Sequence, residues 1–405
     1  MSVPAEPAGS AVDLEGLIAL EARYVMQTYR RAGVEFVRGE GTRLWDSEGR
    51  EYLDFLTGIS VCSVGHCNPS VVGALTEQAG RLMHVSNLFY TRPMVELARR
   101  LSESCLGGPV FFCNSGAEAN ECAIKVARKH AHRRGIAAPE IVSFQRDFHG
   151  RTYGALSATP GFAADPDLAP MLPGFRSVAP QDPRSLAEAV GESTAAVLIE
   201  PIQGEAGVYP VADEVLLAAR EACARSDALL ILDEVQTGIG RTGSLWAYEQ
   251  TPIRPDLITS AKALGGGFPI GACIASPACG GVLEAGDHGS TFAGGPVAAS
   301  AALAVLEIVD DPGLLRRVRA LGARLTEGLE AMPGVDAVRG RGLMLGVALS
   351  GGLDAREVCA DLLEAGLVVN APEARTLRLL PPLTVSPEEV DRALHLLGGR
   401  LGDGR

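Results

Sequence analysis

The chain has 405 residues, and its 36 basic and 49 acidic side chains leave a formal net charge of −13. A composition of 47% hydrophobic and 21% charged residues is globular and excludes wholesale disorder. The acidic balance argues against nucleic acid or an anionic membrane as partner, and the longest nearly apolar run, residues 297–306, is too short to span a bilayer.

The N-terminal residues and the cysteines indicate the compartment. Residues 1–9 lack the basic start and the apolar core of a secretory signal. The nine cysteines are an odd number without a C-x-x-C pair, which predicts reduced, mostly buried thiols. We therefore expect a cytoplasmic protein.

Helical patterns alternate with short apolar runs between residues 72 and 308. Buried strands are predicted at Val110–Cys113, 141–144, 196–199, 229–232, 257–259 and 271–274. Residues 118–130 predict an amphipathic helix with Ala119, Ala123 and Val126 on one face. This alternation predicts an α/β fold around a mostly parallel sheet.

The pattern changes in the last hundred residues. After a long helix from Pro312 to about residue 333, strands are predicted at 335–338, 343–349, 368–370 and 377–379, with two helices between and after them. Ser386, Pro387 and Glu389 form the start signal of the last helix, with a capping box. We expect a large domain over 61–310 and a small C-terminal domain over 311–405, which residues 1–60 join.

The loops at the carboxyl ends of parallel strands are where an open α/β sheet binds its ligand. Ser115, Gly116 and Ala117 follow the first predicted strand and open a helix, whose unpaired N–H groups can hold a phosphate. An ordinary capped helix start is the alternative. Phe148 and Arg151 follow the second strand and can stack on a flat ring and bind a carboxylate.

Two further strand ends carry an acid and an amine. Asp233 ends the fourth strand, where a buried carboxylate needs a cation or several donors, and Gln236 follows it. Lys262 has apolar neighbours, and desolvation lowers an amine's pKa and makes it nucleophilic. A locally satisfied acid and a surface lysine are the alternatives. Together with the phosphate seat, these groups complement pyridoxal phosphate.

Two other motifs are weaker. Residues 238–243 match G-x-G-x-x-G, but loop residues separate them from the preceding strand, which disfavours a dinucleotide site and a dehydrogenase. His130 and His132 are two apart on a predicted helix and cannot share a face, so we expect no metal site.

In these motifs the sequence resembles the class III pyridoxal-phosphate-dependent aminotransferases, most closely their acetylornithine aminotransferase branch. The resemblance covers about residues 24–397 and depends on six ordered segments: 114–121, 148–152, 200–207, 232–243, 260–271 and 289–296. It implies fold type I of pyridoxal-phosphate enzymes, with a large domain, a smaller α/β C-terminal domain and a homodimer with shared active sites.

The resemblance also implies roles for individual residues. Lys262 would be the catalytic amine, and Asp233 would hold the proton on the cofactor's pyridine nitrogen. The other cofactor-binding residues would be Ser115, Gly116 and Ala117 at the phosphate, Phe148 and Val235 on the two faces of the ring, Gln236 at the ring hydroxyl, and Thr291 from the neighbouring subunit. Arg151 and Ser290 would bind the substrate, with Arg151 on its carboxylate. Arg378 would bind a second carboxylate, and Glu205 would neutralise Arg378 when none is present.

The resemblance implies transfer of the δ-amino group of N2-acetylornithine to 2-oxoglutarate, in arginine biosynthesis. Ile59 stands where ornithine-using relatives carry a Tyr, which leaves room for an acylated tail. Succinyl-diaminopimelate, ornithine, 4-aminobutyrate and a carrier-linked lysine precursor stay open as donors. A non-catalytic cofactor-binding homologue is the alternative from another class.

Overall fold

The computed structural model describes residues 12–163 and 165–402. Its helices are α1 Leu14–Tyr24, α2 Thr57–Ser60, α3 Pro69–Ala79, α4 Arg92–Ser104, α5 Gly116–Arg133, α6 Tyr153–Ser157, α7 Pro160–Ala163, α8 Pro183–Ala189, α9 Asp213–Ser226, α10 Pro296–Val309, α11 Pro312–Glu330, α12 Ala355–Glu364 and α13 Pro387–Leu401, with short 3-10 turns at Pro166–Leu168, Ala247–Gln250 and Lys262–Gly265.

The strands form four sheets. They are β1 Phe36–Glu40, β2 Arg43–Asp46, β3 Glu51–Asp54, β4 Val110–Cys113, β5 Glu140–Phe144, β6 Phe175–Val178, β7 Thr194–Ile199, β8 Ile202–Gln203, β9 Tyr209–Pro210, β10 Leu229–Asp233, β11 Leu257–Ser260, β12 Gly271–Ala275, β13 Val335–Arg341, β14 Met344–Leu349, β15 Leu367–Val368, β16 Asn370–Glu373 and β17 Thr376–Leu379.

A seven-stranded sheet in the order β4-β12-β11-β10-β7-β5-β6 forms the centre of the molecule. Strand β12 runs antiparallel to both of its neighbours, and the other four pairings are parallel. All six predicted strands lie in this sheet, so the predicted α/β fold with a mostly parallel sheet is confirmed. Strand β6 was missed because it is a half-exposed edge strand without an apolar run.

Helix α5 packs against the central sheet and opens at the carboxyl end of β4. Its residues Ala119, Ala123, Val126 and Ala127 are buried, as the predicted apolar face requires. The loops after β5, β7, β10 and β11 reach the same end of the sheet, because these strands are parallel. The sheet therefore brings the predicted site residues to one edge.

The C-terminal part contains an antiparallel sheet in the order β13-β14-β17-β16. The single strand predicted at 368–370 is wrong, because the chain changes sheets there. Strand β15 pairs in parallel with β3, with Leu367 opposite Leu53, whereas β16 pairs with β17. The N-terminal strands thus share a sheet with a C-terminal one. The domain boundaries at 60 and 310 remain predictions.

Two further expectations concern membranes and thiols. Along the described chain no helix is both long and apolar enough to cross a membrane. All nine cysteines have free thiols; five are buried, and Cys67 is exposed.

Candidate active site

A cavity of about 410 Å³ lies at the carboxyl edge of the central sheet. Nine of the predicted site residues line it: Ser115, Gly116, Ala117, Phe148, Arg151, Asp233, Val235, Gln236 and Lys262. The loops that carry them come from four separate stretches of the chain, after β4, β5, β10 and β11. Their convergence is a property of the parallel sheet.

The start of α5 forms one end of this cavity. Ser115 is the N-cap, and its hydroxyl accepts a hydrogen bond from the Glu118 N–H at 3.2 Å. A Cβ on Gly116 would lie 2.7 Å from Val235 Cγ1, so only glycine lets the helix start approach Val235 this closely. The first N–H groups of an α-helix have no partner within the helix, and those of Gly116 and Ala117 border the cavity.

Asp233 ends β10 and is buried, with three donors around its carboxylate. Oδ2 accepts from Asn120 Nδ2 at 2.7 Å and lies 2.8 Å from His149 Nδ1. Oδ1 accepts from the Val235 N–H at 3.0 Å. These contacts stabilise an ionised carboxylate at the cavity wall.

Asn120 is a positioning residue to which the sequence analysis assigned no role. Its Nδ2 also donates to the His149 carbonyl at 2.7 Å, and its Oδ1 accepts from Thr259 Oγ1 at 2.8 Å. The side-chain amide therefore has a fixed orientation and points its NH₂ group at Asp233. Its position in the sequence could have indicated this role, because Asn120 lies one helical turn after Gly116, at the end of the helix that borders the cavity.

His149 was also without a role in the sequence analysis. It is fully buried, with Asp233 on one side and Asp147 Oδ2 3.4 Å from its Nε2 on the other. Burial opposes its protonation, but the adjacent carboxylates of Asp147 and Asp233 outweigh burial and raise its pKa to about 10. A histidinium between two carboxylates is the result.

Glu200, at the exit of β7, is the third buried acid at this edge. It accepts hydrogen bonds from the N–H groups of Phe148 at 2.8 Å and Gly204 at 3.1 Å. Burial, together with the negative charges of Asp147 and Asp233, raises its pKa to about 8. Glu200 therefore keeps its proton near neutral pH, where an exposed glutamate is ionised.

Lys262 opens the turn after β11 and lines the same cavity as Asp233. Its φ of 40° lies in the left-handed region that non-glycine residues rarely adopt. Burial lowers its pKa, and the nearby charge of Arg378 acts in the same direction against the attraction of Glu205. The result is an amine that loses its proton more easily than an exposed lysine.

Glu205 and Arg378 form an ion pair next to the cavity. Arg378 is fully buried, and its Nη1 lies 2.7 Å from Glu205 Oε1 while its Nη2 lies 3.2 Å from Oε2. Burial raises the pKa of Glu205, but the charge and hydrogen bonds of Arg378 outweigh it and leave this pKa lowered. Gln236 joins the pair to the cavity, since its Oε1 accepts from Arg378 Nη1 at 3.2 Å.

The remaining predicted residues lie at the rim or outside. The Arg151 guanidinium lies over the Phe148 ring, 5.3 Å from its centroid. Ser290 Oγ accepts from Asn114 Nδ2 at 2.9 Å, and Asn114 lines the cavity. Thr291 is exposed and does not line this cavity; it borders a small separate one.

The two other sequence motifs do not line this cavity. The 238–243 segment makes turns with left-handed glycines at 240 and 243, and no helix begins there. Within residues 12–163 and 165–402, no three His, Cys, Asp or Glu side chains converge as metal ligands do.

Comparison with known proteins identifies the architecture. The family model of class III aminotransferases matches residues 24–399. The acetylornithine aminotransferase of Caldanaerobacter subterraneus is 46% identical over 96% of this chain and all of its own length. That of Gloeobacter violaceus is 48% identical, over 93% of this chain and 95% of its own.

Solved structures show the same fold. The ornithine aminotransferase of Toxoplasma gondii superposes with a TM-score of 0.91 at 35% identity, covering 96% of this chain and 94% of its own. The N-acetylornithine aminotransferase of Stenotrophomonas maltophilia superposes with a TM-score of 0.81 at 38% identity, covering 94% of this chain and 97% of its own. With a family match over most of its length and relatives above 40% identity, this chain belongs to the class III aminotransferases, enzymes with the fold type I architecture.

Proposed function

We propose that this aminotransferase uses pyridoxal 5′-phosphate to transfer the δ-amino group of N2-acetylornithine to 2-oxoglutarate, giving N-acetylglutamate 5-semialdehyde and glutamate. The observation that carries the proposal is that Lys262 and Asp233 line one cavity, with the Glu205–Arg378 pair next to its wall residue Gln236. The names of the sequence relatives support acetylornithine as the donor.

The cavity fits the cofactor at three points. The unpaired N–H groups at the start of α5, near Ser115, Gly116 and Ala117, border the cavity and suit a phosphate. Phe148 and Val235 both line the cavity, and they would form the two sides of a slot for the ring. The Asp233 carboxylate suits a protonated ring nitrogen.

When bound, pyridoxal phosphate supplies an aldehyde and a cationic ring that stabilises negative charge at the substrate carbon. Asp233, held by Asn120 and His149, keeps a negative charge at one fixed place in the wall. Lys262, with its lowered pKa, takes up and returns a proton at its Nζ. Gln236 donates at the other edge of the slot.

Substrate recognition depends on three charged residues. Arg151 at the rim binds the carboxylate that both substrates share, with Ser290 nearby. Acetylornithine has no second carboxylate, so Glu205 stays on Arg378; 2-oxoglutarate has one, and its second carboxylate replaces Glu205 on Arg378. The bidentate geometry of the pair matches this exchange.

The surroundings of Ile59 favour the acylated donor over ornithine. Ile59 packs against an apolar cluster of Ile202, Val208, Met344 and Leu380, next to the Glu205 turn. A free α-ammonium near this cluster would lose hydration without gaining a partner, and a charged group loses far more free energy in this way than a neutral acetamido group.

A donor panel tests the proposal. The purified enzyme with its cofactor is mixed separately with acetylornithine, ornithine, succinyl-diaminopimelate, 4-aminobutyrate and glutamate, and the loss of the cofactor's visible absorbance is followed. We expect acetylornithine and glutamate to react fastest. If ornithine reacts faster than acetylornithine, ornithine becomes the proposed donor. If no amine reacts, a non-catalytic homologue is favoured.

The proposed enzyme is a cytoplasmic homodimer whose subunits share their active sites, and free thiols suit that reducing compartment. An apolar surface around Thr291 supports the dimer: Leu88 is 85% exposed, Tyr90 96% and Phe292 66%. Mixing inactive Lys262→Ala subunits with Thr291→Ala subunits tests it. Hybrid dimers regain one intact site and hence activity if Thr291 acts across the interface, and gain none if it acts within its own subunit.

A further inference from the structure

The turn between β8 and β9, which carries Glu205, has a constrained backbone. Gly207 has a φ of 111°, and the buried, β-branched Val208 has a φ of 60°. A β-branched residue with positive φ is a rare conformation that persists only where the surroundings fix it. The contacts of Tyr209 show what fixes this turn.

Arg146 and Arg339 both contact this turn. The guanidinium carbons of Arg146 and Arg339 lie 4.6 Å and 4.0 Å from the centroid of the Tyr209 ring. The same groups bind the backbone directly after Glu205: Arg146 Nη2 donates to the Ala206 carbonyl at 2.6 Å, and Arg339 Nη2 donates to the Gly207 carbonyl at 3.0 Å. Cation–π contacts and hydrogen bonds therefore act on one short turn.

The two arginines come from different sheets, and Glu373 connects them. Arg146 follows β5 of the central sheet, whereas Arg339 lies on β13 of the C-terminal sheet. Glu373 forms an ion pair with Arg146 and accepts from Thr376 Oγ1 at 3.5 Å, and that hydroxyl accepts from Arg339 at 3.2 Å. Glu373 and Thr376 therefore link Arg146 to Arg339, the two arginines that contact Tyr209.

We propose that Tyr209, Arg146 and Arg339 form a clamp on the Glu205 turn, and that this clamp sets how readily Glu205 leaves Arg378. Tyr209 is then a specificity-determining residue that acts through Glu205 without touching the substrate. The inference rests on the proposed function, in which Glu205 stays in place for the mono-carboxylate donor and leaves for 2-oxoglutarate or glutamate. A firm clamp favours acetylornithine.

The test is Tyr209→Leu, which removes the ring, with Tyr209→Phe as the matched control that keeps it. The kcat/KM of the half-reaction is measured separately with acetylornithine and with glutamate. We expect the ratio of acetylornithine to glutamate to fall about fivefold or more in Tyr209→Leu and to stay near the wild-type ratio in Tyr209→Phe. A ratio that Tyr209→Leu leaves unchanged overturns the proposal, even if both activities drop.

A second variant tests the proposal if Tyr209→Leu does not fold. Glu373→Gln removes the negative charge that pairs with Arg146 and leaves the Tyr209 ring intact, so it should move the ratio in the same direction. An unmoved ratio in the folded Glu373→Gln enzyme also overturns the clamp. If the wild-type enzyme reacts with neither donor, the proposed function is wrong and the clamp proposal falls with it. A normal wild type with an unmoved ratio overturns the clamp alone.

Discussion

His149 Nδ1 lies 2.8 Å from Asp233 Oδ2, and the histidine places its positive charge between Asp233 and Asp147. Two buried carboxylates, of Asp233 and Asp147, thus share the single positive charge of the histidine between them. The negative charge of Asp233 at the cavity wall depends on a cation that has no access to solvent. This relationship makes the stability of the site depend on pH.

The variant His149→Gln tests this dependence. The folded pKa of about 10 lies above the usual 6.5, so the stability that His149 contributes is complete below pH 6.5 and is lost as the pH rises through 10. We expect the difference in free energy of unfolding between wild type and variant to be largest near pH 6.5 and to shrink by pH 9. Urea unfolding at both pH values measures it. If wild type and variant differ by the same free energy of unfolding at pH 6.5 and at pH 9, the result contradicts a charged His149.

Glu200 titrates in a different window. Its raised pKa of about 8 means that its contribution to stability is complete below its usual pKa of 4.5 and is lost as the pH rises through 8. Glu200→Gln removes that loss, so the variant should gain stability relative to wild type between pH 5 and pH 8.5. The same unfolding series detects this, and a pH-independent difference would rule out the titration.

Lys262→Ala removes the proposed catalytic amine. We expect the rate of transamination to fall about 10³-fold or more, because a positioned acid–base group contributes this order of magnitude. Thermal unfolding of the cofactor-free protein should stay close to wild type, since the Lys262 side chain lies on a cavity wall and donates no hydrogen bond to any residue that the structure describes. Substantial turnover by this variant would refute the assignment.

Glu205→Ala leaves Arg378 without its counter-charge. We expect kcat/KM for acetylornithine to fall about 10- to 100-fold, the effect of losing a charged hydrogen bond, and that for glutamate to change much less. Glu205→Gln, which keeps the size and loses the charge, serves as the matched variant. Steady-state kinetics with each donor checks this, and equal losses for both donors would argue against the exchange on Arg378.

Arg241 is a buried cation without a bonded carboxylate. Its guanidinium donates to Ser60 Oγ at 2.9 Å, Ser63 Oγ at 2.8 Å and the carbonyls of Leu343 at 3.1 Å and Pro381 at 2.5 Å. Arg241→Met leaves these acceptors unpaired and should lower the free energy of unfolding by about 3 kcal/mol, against about 1 kcal/mol for Ser63→Ala. Equal effects in denaturant titrations would show that the other three bonds contribute little.

The sequence predicts the central sheet well because each inner strand is a continuous apolar run followed by a polar loop. Parallel strands bring such loops together, so the convergence of Gly116, Asp233 and Lys262 could be expected. The change of sheet at Val369 could not, because this single residue is all that separates β15 from β16, and no local pattern marks the pairing of β15 with β3.

The second layer of the site was harder to predict. Asn120 and His149 stand inside the motifs that the sequence analysis quoted, but their roles depend on contacts with Asp233, 113 and 84 positions away. Tyr209 gave no signal, since its two arginines come from separate sheets. Local patterns identify groups that face the ligand, whereas the groups that hold them depend on three-dimensional neighbours.

The pairing of Leu53 with Leu367 has a consequence for biosynthesis. Strand β3 leaves the ribosome roughly 300 residues before its parallel partner, a delay of about 15–60 s at ordinary elongation rates of about 5–20 residues per second. During that interval its edge is unpaired and open to other extended chains. Nascent chains that stall before residue 367 should therefore need a chaperone or aggregate, even though their central sheet is complete.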